Sequence, residues 1–335
     1  MQAKRQHAIV LGASMAGLLT ARVLSEQFER VTLVERDRLP DEATSRKGVP
    51  QSRHAHGLLA RGLRTMEQLF PGLTASLVAG GAVSGDIGRD ACWYQFGGYK
   101  VRADVGLPGV VMTRPYLEAH IRQRVLGRSN VVAIQEADIL GLLAAEDRGR
   151  LLGISLRRHG GQPEQLLADL TVDATGRGTQ SPKWLETLGY GRPAESIVKI
   201  NVGYTSRLYE RKPGDSHAVP VYIIAATPPE GKRYGSLLAV EGQRWIVTLI
   251  GFLGDHSPTD EAGFLEFARS LPTPDIYQHV QSAQPLRVCE FIQFPADFLR
   301  PNDKRPANSM LGRDKFTTSE RDRAAQVSLG SAPAL

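Results

Sequence analysis

Gly12-Ala13-Ser14-Met15-Ala16-Gly17 follows the apolar run Ala8-Ile9-Val10-Leu11 and opens an amphipathic segment. Glycine-sized residues at the first, third and sixth positions of such a turn suit a dinucleotide. The first permits the tight turn, the third lets backbone approach a pyrophosphate, and the sixth lets the helix sit close to the strand. Ser14 occupies the third position as a small substitute for glycine. The free N–H groups and positive dipole end of the following helix then face the phosphates. The next β-branched run, Val31 to Val34, ends at Glu35, where a carboxylate can accept both ribose hydroxyls and repel a 2′-phosphate. Gly12, Ser14, Ala16, Gly17 and Glu35 are therefore candidate adenine-dinucleotide residues, NAD and FAD both remaining open.

Two further segments could carry chemistry. Val49 to His56 reads VPQSRHAH. Its histidines at i and i+2 suggest a metal, but no third ligand of suitable spacing follows, and zinc sites use three or four, so no metal is expected. Arg53 is either a phosphate or ring contact or a solvated loop arginine. Asp173-Ala174-Thr175-Gly176-Arg177-Gly178 ends another apolar strand. A carboxylate there could meet ribityl hydroxyls while the glycines allow close approach, or the segment is a plain strand-to-helix turn.

The elements that must hold these residues follow from periodicity. Ala8–Leu11, a helix over Met15–Gln27 and Val31–Val34 form a βαβ unit. A helix is expected over Gly57–Phe70, a hairpin over Ala91–Phe96 and Tyr99–Ala103 joined by Gly97-Gly98, a helix over Arg114–Leu126 and a strand over Val131–Ile134. Ile139–Leu143 should pair with Leu151–Leu156 around Asp147-Arg148-Gly149, and Leu166–Val172 reads as one strand. In the second half, the alternation of Val198, Ile200, Val202 and Tyr204 predicts a half-buried strand. Val221–Ala225, Ser236–Val240, Trp245–Ile250 and Phe291–Phe294 add more. A helix over Thr259–Leu271 would take Thr259 as its cap, with Asp260 and Glu261 in the first turn.

The whole chain has 335 residues, 41% hydrophobic and 23% charged. This is ordinary globular composition, enough for about two domains. The net charge of +6 is scattered rather than blocked, so no nucleic-acid-binding tail is expected. Two distant cysteines, Cys92 and Cys289, argue against a disulfide framework and for a reducing, cytoplasmic setting. The apolar run Ala8–Ala21 is too short to span a bilayer and reads as strand then helix. Residues 301–335 are poor in apolar residues and read as a disordered tail.

As a set, these motifs resemble the FAD-dependent class A flavoprotein monooxygenases of the aromatic-hydroxylase fold. Within them the chain is similar to the bacterial branch that includes flavin epoxidases of polyether biosynthesis. The resemblance spans about Ala8 to Phe298. It rests on GASMAG with Glu35-Arg36-Asp37, KGVPQSRHAHGLL (Lys47–Leu59), TRPYLE (Thr113–Glu118), VDATGRG (Val172–Gly178), PKWLETLGYGRP (Pro182–Pro193) and GFLEFARSLPTPDIY (Gly263–Tyr277). It implies a mixed α/β (α+β) chain: a Rossmann-like FAD-binding domain (1–80 with 105–197), an inserted antiparallel-sheet substrate domain (81–104 with 198–296) and a disordered or non-native tail (297–335).

The resemblance further implies that Gly12, Ser14, Ala16 and Gly17 surround the FAD pyrophosphate. Glu35 would bind the adenosine ribose, with Arg36 beside the adenine and backbone near Ile139 meeting it. Arg53 and Arg114 would contact phosphates or the ring edge, and Asp173 and Gly176 would serve FAD. The implied chemistry is oxygen transfer from a flavin C4a-hydroperoxide to a small apolar olefinic or aromatic substrate, using O2 and NADH or NADPH. No catalytic acid or base stands out. The family's third motif, a Gly-Asp pair with Pro and glycines, should follow Phe294-Pro295. The nearest segment is Leu311-Gly312-Arg313-Asp314, with no apolar strand before it and no helix after it. The chain is therefore expected to be C-terminally truncated by roughly a hundred residues.

Two other readings stay open, an FAD-dependent prenyl reductase and an inactive remnant that only binds a nucleotide. An NAD dehydrogenase is disfavoured by the lack of a plausible His/Asp catalytic pair and by Asp173-Ala174-Thr175-Gly176. A halogenase is disfavoured because Trp93, Trp184 and Trp245 stand singly, without a Trp-x-Trp-x-Ile-Pro segment.

Overall fold

The computed structural model describes residues 5–191, 196–212, 219–294, 297–299 and 309–311. The first half runs β1 (Arg5–Leu11), α1 (Met15–Leu24), β2 (Phe28–Val34), a 3-10 turn (Pro50–Arg53), β3 (Ala55–Leu58), α2 (Ala60–Leu69), α3 (Leu73–Ala79), β4 (Val83–Asp86), β5 (Ala91–Gln95), β6 (Gly98–Tyr99), β7 (Pro108–Thr113), α4 (Arg114–Leu126), β8 (Val131–Ile134), β9 (Ala137–Ala144), β10 (Leu151–Arg158), β11 (Pro163–Leu167) and β12 (Leu170–Asp173). A second 3-10 turn (Gly176–Gly178) leads to α5 (Ser181–Thr187), β13 (Ser196–Val198), β14 (Val202–Glu210), β15 (Val221–Ile224), β16 (Arg233–Val240), β17 (Arg244–Gly251), α6 (Glu261–Arg269), α7 (Asp275–Val280), β18 (Glu290–Phe294), β19 (Asp297–Leu299) and β20 (Ser309–Leu311).

A five-stranded parallel sheet of order β20-β12-β1-β2-β8 forms the first core. Alternate residues of a strand face opposite sides, and β1 is buried on both. Ala8 and Val10 pack with Leu18, Leu19 and Ile121 of α1 and α4. Ile9 and Leu11 pack with Ile154 and Leu156 of the three-stranded β11-β10-β9 sheet. This double burial explains why β1 is an unbroken apolar run.

The second core is a seven-stranded sheet of order β18-β14-β17-β16-β15-β5-β6, antiparallel except where β5 joins β15 in parallel. Leu237 and Ala239 face Phe264 and Phe267 of α6. Leu238 and Val240 face the opposite way, in a cluster with Ala55 and Val111 of the small β3-β7-β4 sheet. That small sheet connects the two large ones, because β3 and β7 lie within the segment joining β2 to α4.

The structure corrects several expected boundaries. The helix over Gly57–Phe70 begins only at Ala60, because Ala55–Leu58 pairs with β7. The turn of the β5–β6 hairpin is Phe96-Gly97, both at positive φ (54° and 84°), and Gly98 already starts the return strand. Leu166–Val172 is not one strand. The chain turns a corner at Ala168-Asp169, where the Asp169 carboxylate accepts the N–H groups of Gln6 and His7, each at 3.0 Å. The alternating run from Val198 is interrupted by Asn201 at φ 40°, so β14 starts at Val202. The cap of α6 is Asp260 rather than Thr259, its carboxylate accepting the Gly263 N–H at 2.8 Å.

Within the segment expected to be disordered, β19 pairs with β13, and β20 pairs in parallel with β12 in the register Asp173↔Leu311. A strand therefore does precede Gly312. Gly312-Arg313-Asp314 itself lies outside the described residues.

Candidate functional site

The β1–α1 turn needs its glycines. Gly12 sits at φ 91°, a conformation L side chains rarely adopt, and a Cβ there would lie 2.9 Å from Ala174 O. A Cβ on Gly17 would lie 1.8 Å from Gly12 O. The turn is thus wedged between its own helix and the Asp173–Gly178 turn. Ser14 caps α1 by position, but its hydroxyl makes no cap hydrogen bond and no acidic residue lies in the first helical turn. The first N–H groups of α1 therefore keep their capacity for an anion.

Glu35 ends β2 beside this turn and is buried. Its Oε2 accepts the Ala13 N–H at 2.8 Å and lies 3.1 Å from Arg46 Nη1; its Oε1 accepts the Asp37 N–H at 3.0 Å. A carboxylate has about four acceptor directions, so these three contacts leave one on Oε1 for a hydroxyl.

Beneath the turn lies a buried charge cluster. Arg46 donates from Nη2 to Ala13 O (2.9 Å) and to Glu118 Oε1 (3.0 Å). Glu118 Oε2 accepts the Ser14 hydroxyl at 3.0 Å and lies 3.6 Å from Arg114 Nε; Arg122 Nη1 stands 3.9 Å from Oε1. Burial opposes the charge of Arg46, but the Glu118 and Glu35 carboxylates outweigh it and hold its pKa above the ordinary value. Arg114 is shifted the other way, because burial outweighs Glu118. Its buried Nε has no hydrogen-bond partner among the described residues, while Nη2 reaches the Ser14 hydroxyl at 3.4 Å.

The Asp173 carboxylate is buried and turned inward. It accepts the Thr175 N–H at 2.8 Å and the hydroxyls of Thr175, Thr179 and Ser181. It fastens its own turn, while Gly176 (φ 76°) faces open space, with nothing within 4 Å of a would-be Cβ.

The structure thus gathers Gly12, Ser14, Ala16, Gly17, Glu35 and Arg114 at one turn, with Asp173 and Gly176 on the turn packed against it. Three expected residues stand apart. Arg36 is 65% exposed, its Nε 3.8 Å from Asp37. Arg53 binds Glu290 of β18 at 2.7 Å. Ile139 packs in the cluster on the sheet face opposite α1. Arg46, Glu118 and Arg122 were not singled out from the sequence as site residues. The available signal was Arg114, Glu118 and Arg122 at i, i+4 and i+8, which share one helix face.

His54 and His56 do not converge on a common point. His54 Nδ1 meets Ser206 Oγ and His56 Nδ1 meets His54 O, each at 2.8 Å. No group of three or more His, Cys, Asp or Glu able to hold a metal occurs among the described residues.

No family model matches the chain. It is 35% identical over 309 residues to Protein Rv3254 of Mycobacterium tuberculosis, the match covering 90% of this chain. The chain spans 65% of the length of that relative. Among solved structures it is similar to the flavin-dependent brominase Bmp2 (TM-score 0.65, 12% identity, 91% of this chain and 71% of that one). PqsL of Pseudomonas aeruginosa, described as a probable FAD-dependent monooxygenase, matches with TM-score 0.62 and 15% identity over 91% of this chain and 78% of that one. The flavin-dependent halogenase CmlS matches with TM-score 0.63 and 16% identity over 92% and 53%. The chain therefore has the mixed α/β fold that these flavin-dependent enzymes share. No helix among the described residues is long and apolar enough to cross a membrane.

Proposed function

We propose that the chain is an FAD-dependent oxidoreductase, a monooxygenase acting on an olefinic or aromatic small molecule with NADH or NADPH as reductant. The observation that carries this reading is the turn at Gly12–Gly17, with uncapped helix N–H groups above it, Glu35 beside it and the Asp173–Gly178 turn packed against it. The fold shared with flavin-dependent enzymes supports it. The proposed domains are 1–80 with 105–197 for the nucleotide and 81–104 with 198–296 for substrate. The joining of β5 to the second sheet supports that division.

In this reading the N–H groups at Ser14, Ala16 and Gly17 receive the pyrophosphate, and Arg114 adds a guanidinium beside Ser14. The remaining acceptor direction of Glu35 takes a ribose hydroxyl, and its charge disfavours a 2′-phosphate. Arg36 would lie beside the adenine, and backbone near Ile139 would meet it. Asp173 acts by fixing its turn, so that Gly176 lets a ligand approach the backbone. Arg53 stands where the nucleotide half meets the second sheet. Bound FAD supplies the reaction with O2. One oxygen atom enters substrate, the other leaves as water, and two electrons come from NAD(P)H. The polyether-epoxidase resemblance favours an olefin. Cys92 and Cys289 are free thiols, which suits a cytoplasmic setting.

The test is oxygen uptake by the FAD-loaded protein with NADH or NADPH across a panel of olefins and phenols. Uptake coupled to an oxygenated product supports the reading. Oxidation of NADH or NADPH without oxygen uptake, its two electrons passing to a prenyl double bond, would replace it with a reductase.

A further inference from the structure

His54 carries an imidazole that the reading above does not use. It follows the 3-10 turn Pro50–Arg53 in extended backbone, and it is nineteen-twentieths buried, at 5% exposure. Its Nδ1 lies 2.8 Å from Ser206 Oγ on β14, which lies 2.6 Å from Thr248 Oγ1 on β17. Thr248 Oγ1 also accepts the Ala55 N–H at 2.9 Å. Ser206 and Thr248 are both buried, so the direction of this chain can be deduced. If the imidazole donated to Ser206, one of the two hydroxyl hydrogens, that of Ser206 or that of Thr248, would be buried without an acceptor. With Thr248 donating to Ser206 and Ser206 donating to Nδ1, both hydroxyls and Nδ1 are satisfied. That order puts the imidazole proton on Nε2.

The hydrogen bond of the His54 ring to Ser206 is made by Nδ1. Nε2 is not among the fully buried polar atoms left without a partner, so it keeps a little accessible surface for a ligand atom. In the imidazole ring Nε2 points away from the Nδ1 that meets Ser206. Arg53, the preceding residue, reaches Glu290 of β18. The Tyr204 ring of β14 stands 6.0 Å from the imidazole. His56, two residues on, hydrogen-bonds back to His54 O and feels the charge of Arg114, which touches Ser14 of the dinucleotide turn. The segment His54–His56 thus lies between Arg114, at the dinucleotide turn, and Ser206 and Thr248 of the second sheet.

We infer that His54 is a ligand-positioning residue whose Nε2–H donates to an acceptor atom on the polar edge of the flavin ring, with Ser206 and Thr248 fixing its tautomer and orientation. This rests on the FAD reading above. The carbonyl and ring-nitrogen acceptors of a flavin match a single fixed N–H donor held in a largely desolvated site.

His54→Asn and His54→Gln separate this role from a structural one. An asparagine amide reaches the Nδ1 position and can keep the Ser206 contact, whereas a glutamine amide reaches the Nε2 position. The purified full chain is titrated with FAD while flavin fluorescence and the visible spectrum of the bound flavin are recorded. Thermal melts without FAD check the fold. His54→Asn is expected to weaken FAD binding about tenfold, the scale of one hydrogen bond, and to shift the bound-flavin spectrum while the melt is unchanged. His54→Gln should stay within about threefold of wild type and keep the wild-type spectrum. Should His54→Asn not fold, Ser206→Ala, which frees the imidazole, is expected to move affinity and spectrum in the same direction. Wild-type FAD binding with an unaltered affinity and spectrum in folded His54→Asn, or in Ser206→Ala where the former does not fold, overturns this inference alone. Absence of FAD binding by the wild type overturns the FAD reading and this inference with it.

Discussion

Arg46 and Glu118, 72 residues apart in sequence, are joined by two N–H···O contacts of 3.0 and 3.2 Å beneath the dinucleotide turn. Removing one partner of such a buried pair leaves the other charge desolvated, which costs about 3–5 kcal/mol. Glu118→Ala removes the carboxylate shared by Arg46, Arg114 and Arg122, of which Arg46 keeps Glu35. It is expected to lose about 3 kcal/mol, the lower end of that range, in urea unfolding. Glu118→Gln keeps acceptor capacity and should lose less. A cost below about 1 kcal/mol for Glu118→Ala would place the cluster in the class of weak surface pairs.

Glycine substitutions should separate by position. Gly17→Ala sets a Cβ 1.8 Å from Gly12 O, and Gly12→Ala adds a contact of 2.9 Å to a strained φ of 91°. Both should open the turn and reduce FAD affinity at least about tenfold, the factor that 1.4 kcal/mol represents. Gly176→Ala meets no atom within 4 Å, so its stability cost should be only the about 1–2 kcal/mol of a left-handed L residue. Equal effects at Gly17 and Gly176 on thermal stability would contradict the packing described.

Acid should destabilise the fold through the His54–His56 segment. Burial, then the charges of His56 and Arg53, lowers His54 from 6.5 to about 4; burial, then Arg114, does the same for His56. The unfolded chain takes up these protons near pH 6.5 and the folded chain only near pH 4. The stability contributed is therefore complete above pH 6.5 and falls as pH drops towards 4. At 1.36 kcal/mol per pKa unit, each group contributes at most about 3 kcal/mol. Urea unfolding at pH 7.5 and 4.5 should show a smaller pH difference for the His54→Gln, His56→Gln double variant than for wild type. An unchanged difference would remove these histidines from the account.

The edge strand β20 gives a backbone test. Successive N–H groups along a strand alternate in direction, so one of Ser309 and Met310 must donate towards β12. Ser309→Pro together with Met310→Pro deletes both donors. The double variant should melt lower, by the several degrees that about 1–3 kcal/mol represents, with a parallel loss of FAD affinity. An unshifted melt would mean that Ser309–Leu311 adds nothing to the sheet.

The framework of the site was legible where local pattern decides structure. The apolar run at Ala8–Leu11, the α4 boundaries Arg114 and Leu126, and the Val131–Ile134 strand follow from periodicity and cap chemistry. The misread boundaries were decided by contacts remote in sequence. Leu166–Val172 breaks because Asp169 reaches across to Gln6 and His7, more than 160 residues away. β3 takes Gly57 and Leu58 from the start of an expected helix because β7 lies beside it. The cap of α6 moved one residue because the Asp260 carboxylate, not the Thr259 hydroxyl, meets the Gly263 N–H. Arg46 escaped notice for the same reason: nothing near it in the chain announces Glu118 or Ala13. Asp173 was legible as a special carboxylate, but its saturation by Thr175, Thr179 and Ser181 is a property of the folded turn.

Equilibrium titration of the purified chain with FAD, with NAD and NADP alongside, addresses the central claim most directly. The account predicts one FAD bound per chain with saturable flavin quenching, binding tighter than either nicotinamide dinucleotide, and a marked loss in Gly17→Ala. A chain that folds normally yet binds no FAD, or binds a nicotinamide dinucleotide more tightly, would contradict it.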